Sequence, residues 1–185
     1  MPPGIHPRTV YVVGYPGAGK TSAVRVALTG LVAQPQEGCV PFVTYRRPGQ
    51  QRYVAAQLGR LRAGGFGGTD ALSMSIQPRA VAWLREAPYE LIVAEGDRLA
   101  NDAFLATAAE RGPLTVVLIE VPAEVARARG AARAEALGRE PQSESWWAGR
   151  RTKVDGVAQR WSALRIDGTQ LRPAVGAQLR EAMRL

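Results

Sequence analysis

Apolar positions along the 185-residue chain alternate between short β-type runs and longer stretches of helical spacing, the pattern of strands joined by helical crossovers. It predicts strands over Thr9–Val13, Val40–Tyr45, Glu90–Ala94, Leu114–Val121 and Ala163–Ile166. Helices are predicted over about Lys20–Val32, Gln50–Arg62, Pro78–Arg85, Asn101–Arg111, Ala123–Leu137, Glu144–Arg160 and Pro173–Leu185. Five strands with a helix in every gap predict an α/β domain with a parallel sheet covered on both faces. No internal repeat or low-complexity tract divides the chain, so a single domain over 1–185 is expected. Two stretches interrupt the periodicity: the glycine-rich Ala63–Asp70 and the polar Gly138–Ser145. Each is either a surface turn or a hinge or lid over a bound substrate.

Composition agrees with a globular domain: 46% of residues are hydrophobic and 22% charged. No apolar run approaches the ~20 residues that span a bilayer, so no membrane partner is expected. The proline-bearing start, Met1–Arg8, has no apolar signal region behind it, and a cytoplasmic location is expected. Cys39 is the only cysteine; it has no partner for an internal disulfide or a zinc cluster and is expected to be a small strand residue. The net charge of +8 favours polyanionic partners, whether nucleotides or nucleic acid. Arginine supplies 22 of the positive charges and lysine occurs only at Lys20 and Lys153, which makes the placement of Lys20 informative.

Gly14-Tyr15-Pro16-Gly17-Ala18-Gly19-Lys20-Thr21 follows a β-branched strand and opens a helix, with the spacing of a phosphate-binding nucleotide loop. In such a loop successive backbone N–H groups and the helix amino terminus point at phosphate oxygens. Gly14, Gly17, Ala18 and Gly19 would line it, Lys20 would reach the β- and γ-phosphates, and the Thr21 hydroxyl would join the coordination of magnesium. The strand ending at Ala94 runs into Glu95-Gly96-Asp97-Arg98. Ligands lie beyond the carboxyl ends of strands in such sheets. A carboxylate there can hold metal-bound water or take a proton, and Arg98 can neutralise phosphoryl charge; a capping cluster, with Asp97 or Asn101 as cap, is the alternative. Arg46-Arg47 at the end of the second strand make either an anion-binding corner or a solvated turn. Arg129 and Arg133 belong to a run of arginines suited to a phosphoryl group in transfer.

Taken in order, these segments resemble thymidylate kinase within the nucleoside-monophosphate kinase group. Besides the loop, Tyr45-Arg46-Arg47-Pro48-Gly49 looks like that family's TREPG, Asp97-Arg98-Leu99 like its DRY, and Pro122–Arg129 like its lid entry. Ile166-Asp167-Gly168-Thr169-Gln170 looks like its IDAT turn. The resemblance implies a P-loop NTPase three-layer sandwich with five parallel strands and a mobile lid, here about 127–151, and phosphoryl transfer from ATP with magnesium. It also implies that Arg46 and Arg98 touch the acceptor and that Asp97 lies beside the transferred phosphate, where it would join Thr21 at the metal. The chain departs from the family on the acceptor side. Arg47 replaces the acidic residue of TREPG, no DR-E element stands around Ala134–Arg139, and Phe66–Ser75 replaces an arginine-bearing acceptor helix.

A nucleoside monophosphate presents an ionised oxygen and needs no base, whereas a hydroxyl acceptor benefits from a carboxylate. Asp70, Glu95 and Asp97 are the candidates for acceptor binding and proton removal. The expected acceptor is a pyrimidine nucleoside monophosphate. The alternative is a hydroxymethylated pyrimidine in DNA, as in phage 5-hydroxymethyluracil DNA kinases, which are similar to thymidylate kinase. In that case Arg46-Arg47 and Arg150-Arg151 would follow the backbone, and Tyr45, Phe66, Trp146 and Trp147 could stack on a base. A second copy of the chain is a further expected partner. A non-enzymatic nucleotide switch is the alternative of another class; it is weakened because Glu120-Val121-Pro122 stands where a guanine-recognition NKxD motif would follow the fourth strand.

Overall fold

The computed structural model describes residues 7–61 and 67–185. Its centre is one seven-stranded sheet. In chain order the strands are β1 (Arg8–Val13), β2 (Val32–Gln36), β3 (Phe42–Arg46), β4 (Tyr53–Leu58), β5 (Leu91–Glu95), β6 (Leu114–Glu120) and β7 (Leu164–Asp167). They lie side by side as β2-β3-β4-β5-β1-β6-β7. The helices are α1 (Lys20–Ala27), α2 (Gln77–Glu86), α3 (Asp102–Arg111), α4 (Ala123–Ala136), α5 (Glu144–Arg160) and α6 (Arg172–Ala182).

Strict alternation in the central strands builds two cores. Val10 and Val12 of β1, Leu91 and Val93 of β5 and Val117 and Ile119 of β6 face one side, packing with α1 and with Leu179 and Met183 at the end of α6. Tyr11, Ile92, Ala94, Val116 and Leu118 face the other, against Leu84 of α2, Phe104 of α3 and Val154 of α5. Leu84 and Phe104 are fully buried, and removing such side chains from water contributes about 1.5–3 kcal/mol each. The result is the expected three layers, helix on sheet on helix.

The expectation of five parallel strands with a helix in every gap is corrected. The sheet has seven strands, and β2-β3-β4 form an antiparallel arm on the parallel set β4-β5-β1-β6-β7. The predicted helix Gln50–Arg62 is β4. Ala55, Ala56, Gln57 and Leu58 are all buried, so this strand, wedged between β3 and β5, shows no alternation, and its alanines imitate a helix. Sheet pairing overrides local propensity there. The predicted helix Lys20–Val32 ends early, at Ala27, and the chain turns through Thr29-Gly30 into the exposed edge strand β2, which carries Pro35. Cys39 is exposed in the β2–β3 connection rather than in a strand.

The antiparallel arm also decides the place of Arg46. Because β3 runs against β4, which runs with β5, the end of β3 pairs with the start of β4, Arg46 opposite Tyr53. Arg46 therefore sits at the sheet edge opposite the carboxyl ends of β1 and β5, where its guanidinium donates to the Gln50 carbonyl. Tyr45 is buried and donates to Gln57, so it is a core residue and not a stacking platform; Phe66, with the first half of the glycine-rich stretch, lies outside the described residues. Segment 127–151 is the body of α4, a short connection and the start of α5. No described helix is long and apolar enough to cross a membrane.

Candidate active site

At the carboxyl edge of the sheet β1 hands the chain to α1 through Gly14–Gly19. Gly17, at φ 87°, passes so close to α4 that a Cβ would stand 2.2 Å from the Ala126 carbonyl oxygen, so only glycine fits there. Gly19, also left-handed, occupies the position before α1, whose first N–H groups are thereby left open to an anion. Lys20 is buried, and its ammonium group donates to the Gly14 carbonyl at 2.9 Å and the Tyr15 carbonyl at 3.2 Å. Burial lowers its pKa, an effect opposed by the negative charges of Glu95 and Asp70. A cation held dehydrated in this way gains by meeting phosphate charge.

The carboxylate that meets the loop is Glu95, the last residue of β5. It is 1% exposed and accepts the Thr21 hydroxyl at 2.7 Å. Burial raises its pKa, with Lys20 and Thr21 opposing the shift. The sequence expectation placed Asp97 with Thr21 at the metal; in the structure the carboxylate that accepts the Thr21 hydroxyl is Glu95. Asp97, two residues on, is ion-paired with Lys153 at 3.1 Å and with Arg150, both from α5. Hard oxygen donors at Thr21 and Glu95, beside a loop of open N–H groups, fit a hydrated magnesium ion.

The segment entering from β4 closes the other side. A Cβ on Gly68 would stand 2.3 Å from Glu95 Oε1, so glycine lets this backbone lie directly on the buried carboxylate. The Thr69 hydroxyl donates to the Glu95 carbonyl at 2.9 Å. These contacts fix Asp70, whose Oδ1 accepts the backbone N–H groups of Asp97 at 2.8 Å and Arg98 at 3.0 Å. Asn101, not Asp97, caps the following helix through the Phe104 N–H.

Helices α4 and α5 form the roof. Arg129 donates to the Gly168 carbonyl, in the turn after β7, at 3.5 Å, and the charge of Arg133 reaches Lys20. Arg127 pairs with Glu144 at 2.8 Å across the two helices. Asp155 accepts the Tyr15 hydroxyl at 2.9 Å, tying α5 to the phosphate loop. Arg150 lies over the Trp146 ring, 5.2 Å from its centroid, while Trp147 packs on the core.

One cavity of about 1200 Å³ gathers these groups. Gly17, Ala18, Gly19, Lys20 and Thr21 line it, as do Asp70, Glu95, Asp97, Arg98, Arg129 and Arg133; Gly14 supplies the carbonyl that holds Lys20. Of the residues expected at the site, Arg46 alone is carried away from it. Sequence reasoning missed Lys153, and the signal was present: the chain has two lysines, and both line this cavity.

The chain belongs to the P-loop Nucleotide Kinase3 family, whose family model matches residues 5–184. That match covers nearly the whole chain and supports a P-loop kinase. No curated protein matches the chain.

Proposed function

We propose that this kinase transfers the γ-phosphoryl group of ATP, with magnesium, to a hydroxyl of a nucleotide-type acceptor, a hydroxymethylated pyrimidine in DNA being the acceptor that the site supports best. The observation that carries the proposal is the shared cavity, with the phosphate loop on one wall and the Asp70-braced turn at Asp97-Arg98 on another. Its volume of about 1200 Å³ exceeds the ~300–1,000 Å³ of ordinary small-molecule pockets, leaving room for donor and acceptor together. Lys20 would bind the β- and γ-phosphates, and Thr21 and Glu95 would hold a magnesium ion, which would supply charge neutralisation at the phosphates. Arg129 and Arg133 approach from the α4–α5 roof, which acts as the lid, and Arg98 lies on the acceptor side.

The displacement of Arg46 favours the hydroxyl acceptor, because it removes the arginine that the resemblance to thymidylate kinase assigns to the acceptor monophosphate. A carboxylate-rich acceptor wall points the same way, and the +8 charge suits a polynucleotide. A free pyrimidine monophosphate is the second reading, carried by the order of the motifs and by Arg98 and Arg150 in the cavity.

The test is transfer of γ-labelled phosphate to oligonucleotides bearing 5-hydroxymethyluracil or 5-hydroxymethylcytosine, to the free nucleosides, and to pyrimidine monophosphates. Label is expected on the hydroxymethylated oligonucleotide, with affinity falling steeply as salt rises. Lys20→Ala should reduce it at least ~10²-fold while the fold is kept. Label confined to monophosphates would select the second reading; ATP binding without any labelled product would leave a nucleotide switch.

A further inference from the structure

Three carboxylates line the cavity beyond the phosphate loop, and their partners set them apart. Glu95 is buried against the loop, with Oε1 taken by the Thr21 hydroxyl. Asp97 has a cation on each oxygen, Lys153 on Oδ1 and Arg150 on Oδ2, so neither oxygen is open to an acceptor hydroxyl. Asp70 differs from both. Its Oδ1 is held by two backbone N–H groups, and among the described residues its Oδ2 takes no hydrogen bond. The side chain is half-buried and lines the cavity. Its charge acts on Lys20 and Lys153, which line the same cavity; Glu95 and the buried Tyr11 hydroxyl are its other ionisable neighbours.

We propose that Asp70 is the catalytic base that takes the proton from the acceptor hydroxyl, an assignment that rests on the hydroxyl-acceptor reading above. The acceptor O–H bond breaks as its proton passes to Asp70 Oδ2. The acceptor oxygen forms a bond to the γ-phosphorus of ATP, and the bond from that phosphorus to the β,γ-bridging oxygen breaks, releasing ADP. Asp70 returns its proton to water when the products leave. The two N–H groups on Oδ1 fix the direction of Oδ2, and this fixed geometry is what a general base requires.

Asp70→Asn separates this role from a merely structural one. The amide oxygen can still accept the N–H groups of Asp97 and Arg98, so the turn is kept, while the basic oxygen is replaced by NH₂. Single-turnover transfer to a 5-hydroxymethyluracil oligonucleotide is expected to fall ~10²–10⁴-fold, with the affinities for ATP and for the oligonucleotide and the melting temperature unchanged. Asp70→Ala, which loses the brace as well, should be as slow and should also melt earlier. Transfer by Asp70→Asn at the wild-type rate would overturn the proposal and reduce Asp70 to a brace. If wild-type protein labels only monophosphates, and Asp70→Asn labels them equally well, the hydroxyl reading itself has failed and the proposal with it. If the wild-type protein labels the hydroxymethylated oligonucleotide and the variant does not lose rate, only the base assignment fails.

Discussion

At the scale of single residues, function at this site works against stability. Glu95 is a carboxyl buried beside a threonine hydroxyl, and its pKa is raised above the ordinary carboxylate range chiefly by burial. An acid whose folded pKa exceeds its unfolded one penalises the fold at any pH above both values, and the penalty fades as pH drops through the folded value towards the unfolded one. Near neutral pH, therefore, ligand-free Glu95→Gln should melt no earlier than the wild type, and any advantage it holds should shrink as the buffer is taken towards pH 4. Its magnesium-dependent affinity for ATP should nevertheless fall, by about tenfold or more, because a charged oxygen has been removed from the metal side of the loop. Thermal melts across pH, paired with nucleotide titrations with and without magnesium, check both halves. A variant that melts earlier at neutral pH yet binds magnesium ATP normally would show Glu95 to be structural.

At the scale of elements, α4 and α5 reach the rest of the site through side chains that a ligand would re-partner. Lys153 and Arg150 hold Asp97, Tyr15 holds Asp155, and Arg129 reaches Gly168. Donor and acceptor together add phosphate charge beneath these arginines, so cleavage within Gly138–Ser145 by a limiting protease should slow several-fold when both are bound, and less with either alone. Equal cleavage rates with and without both would show that α4 and α5 are not a lid. How much of this was legible in the sequence follows from the same physics. The loop was legible because β1 is a run of β-branched and aromatic residues, Val10-Tyr11-Val12-Val13, and glycine spacing is local information. The arm β2-β3-β4 was not, because the alanines of β4 imitate a helix, and the strand's direction is set by hydrogen bonds to β3 and β5 rather than by its own residues. Arg46 was misplaced for that reason alone: a motif can be in the right order along the chain and still be delivered to the wrong edge by one antiparallel reversal. The pairing of Thr21 with Glu95, rather than with Asp97, depended on where Gly96, at φ 117°, turns the chain, and no spacing rule contains that.

At the scale of the whole molecule, positive charge is plentiful but ammonium groups are rare, and this gives the chain an unusual chemical selectivity. Guanidinium groups do not react with acylating reagents under mild conditions, and apart from the α-amino group the only amines are Lys20 and Lys153. Both sit in one cavity, and burial lowers the pKa of each, which raises the fraction present as the free, nucleophilic amine. An acyl-phosphate derivative of ATP should therefore modify the protein at one or both of these lysines, with magnesium ATP protecting Lys20 at least ~10-fold at saturation. Peptide mass analysis gives both occupancies in a single run, and modification of Lys20 that ATP does not slow would place the nucleotide elsewhere. Where most proteins need an engineered label to report on an active site, this one has in effect removed its competing amines, so that its total lysine acylation is itself a measure of how far the site is filled.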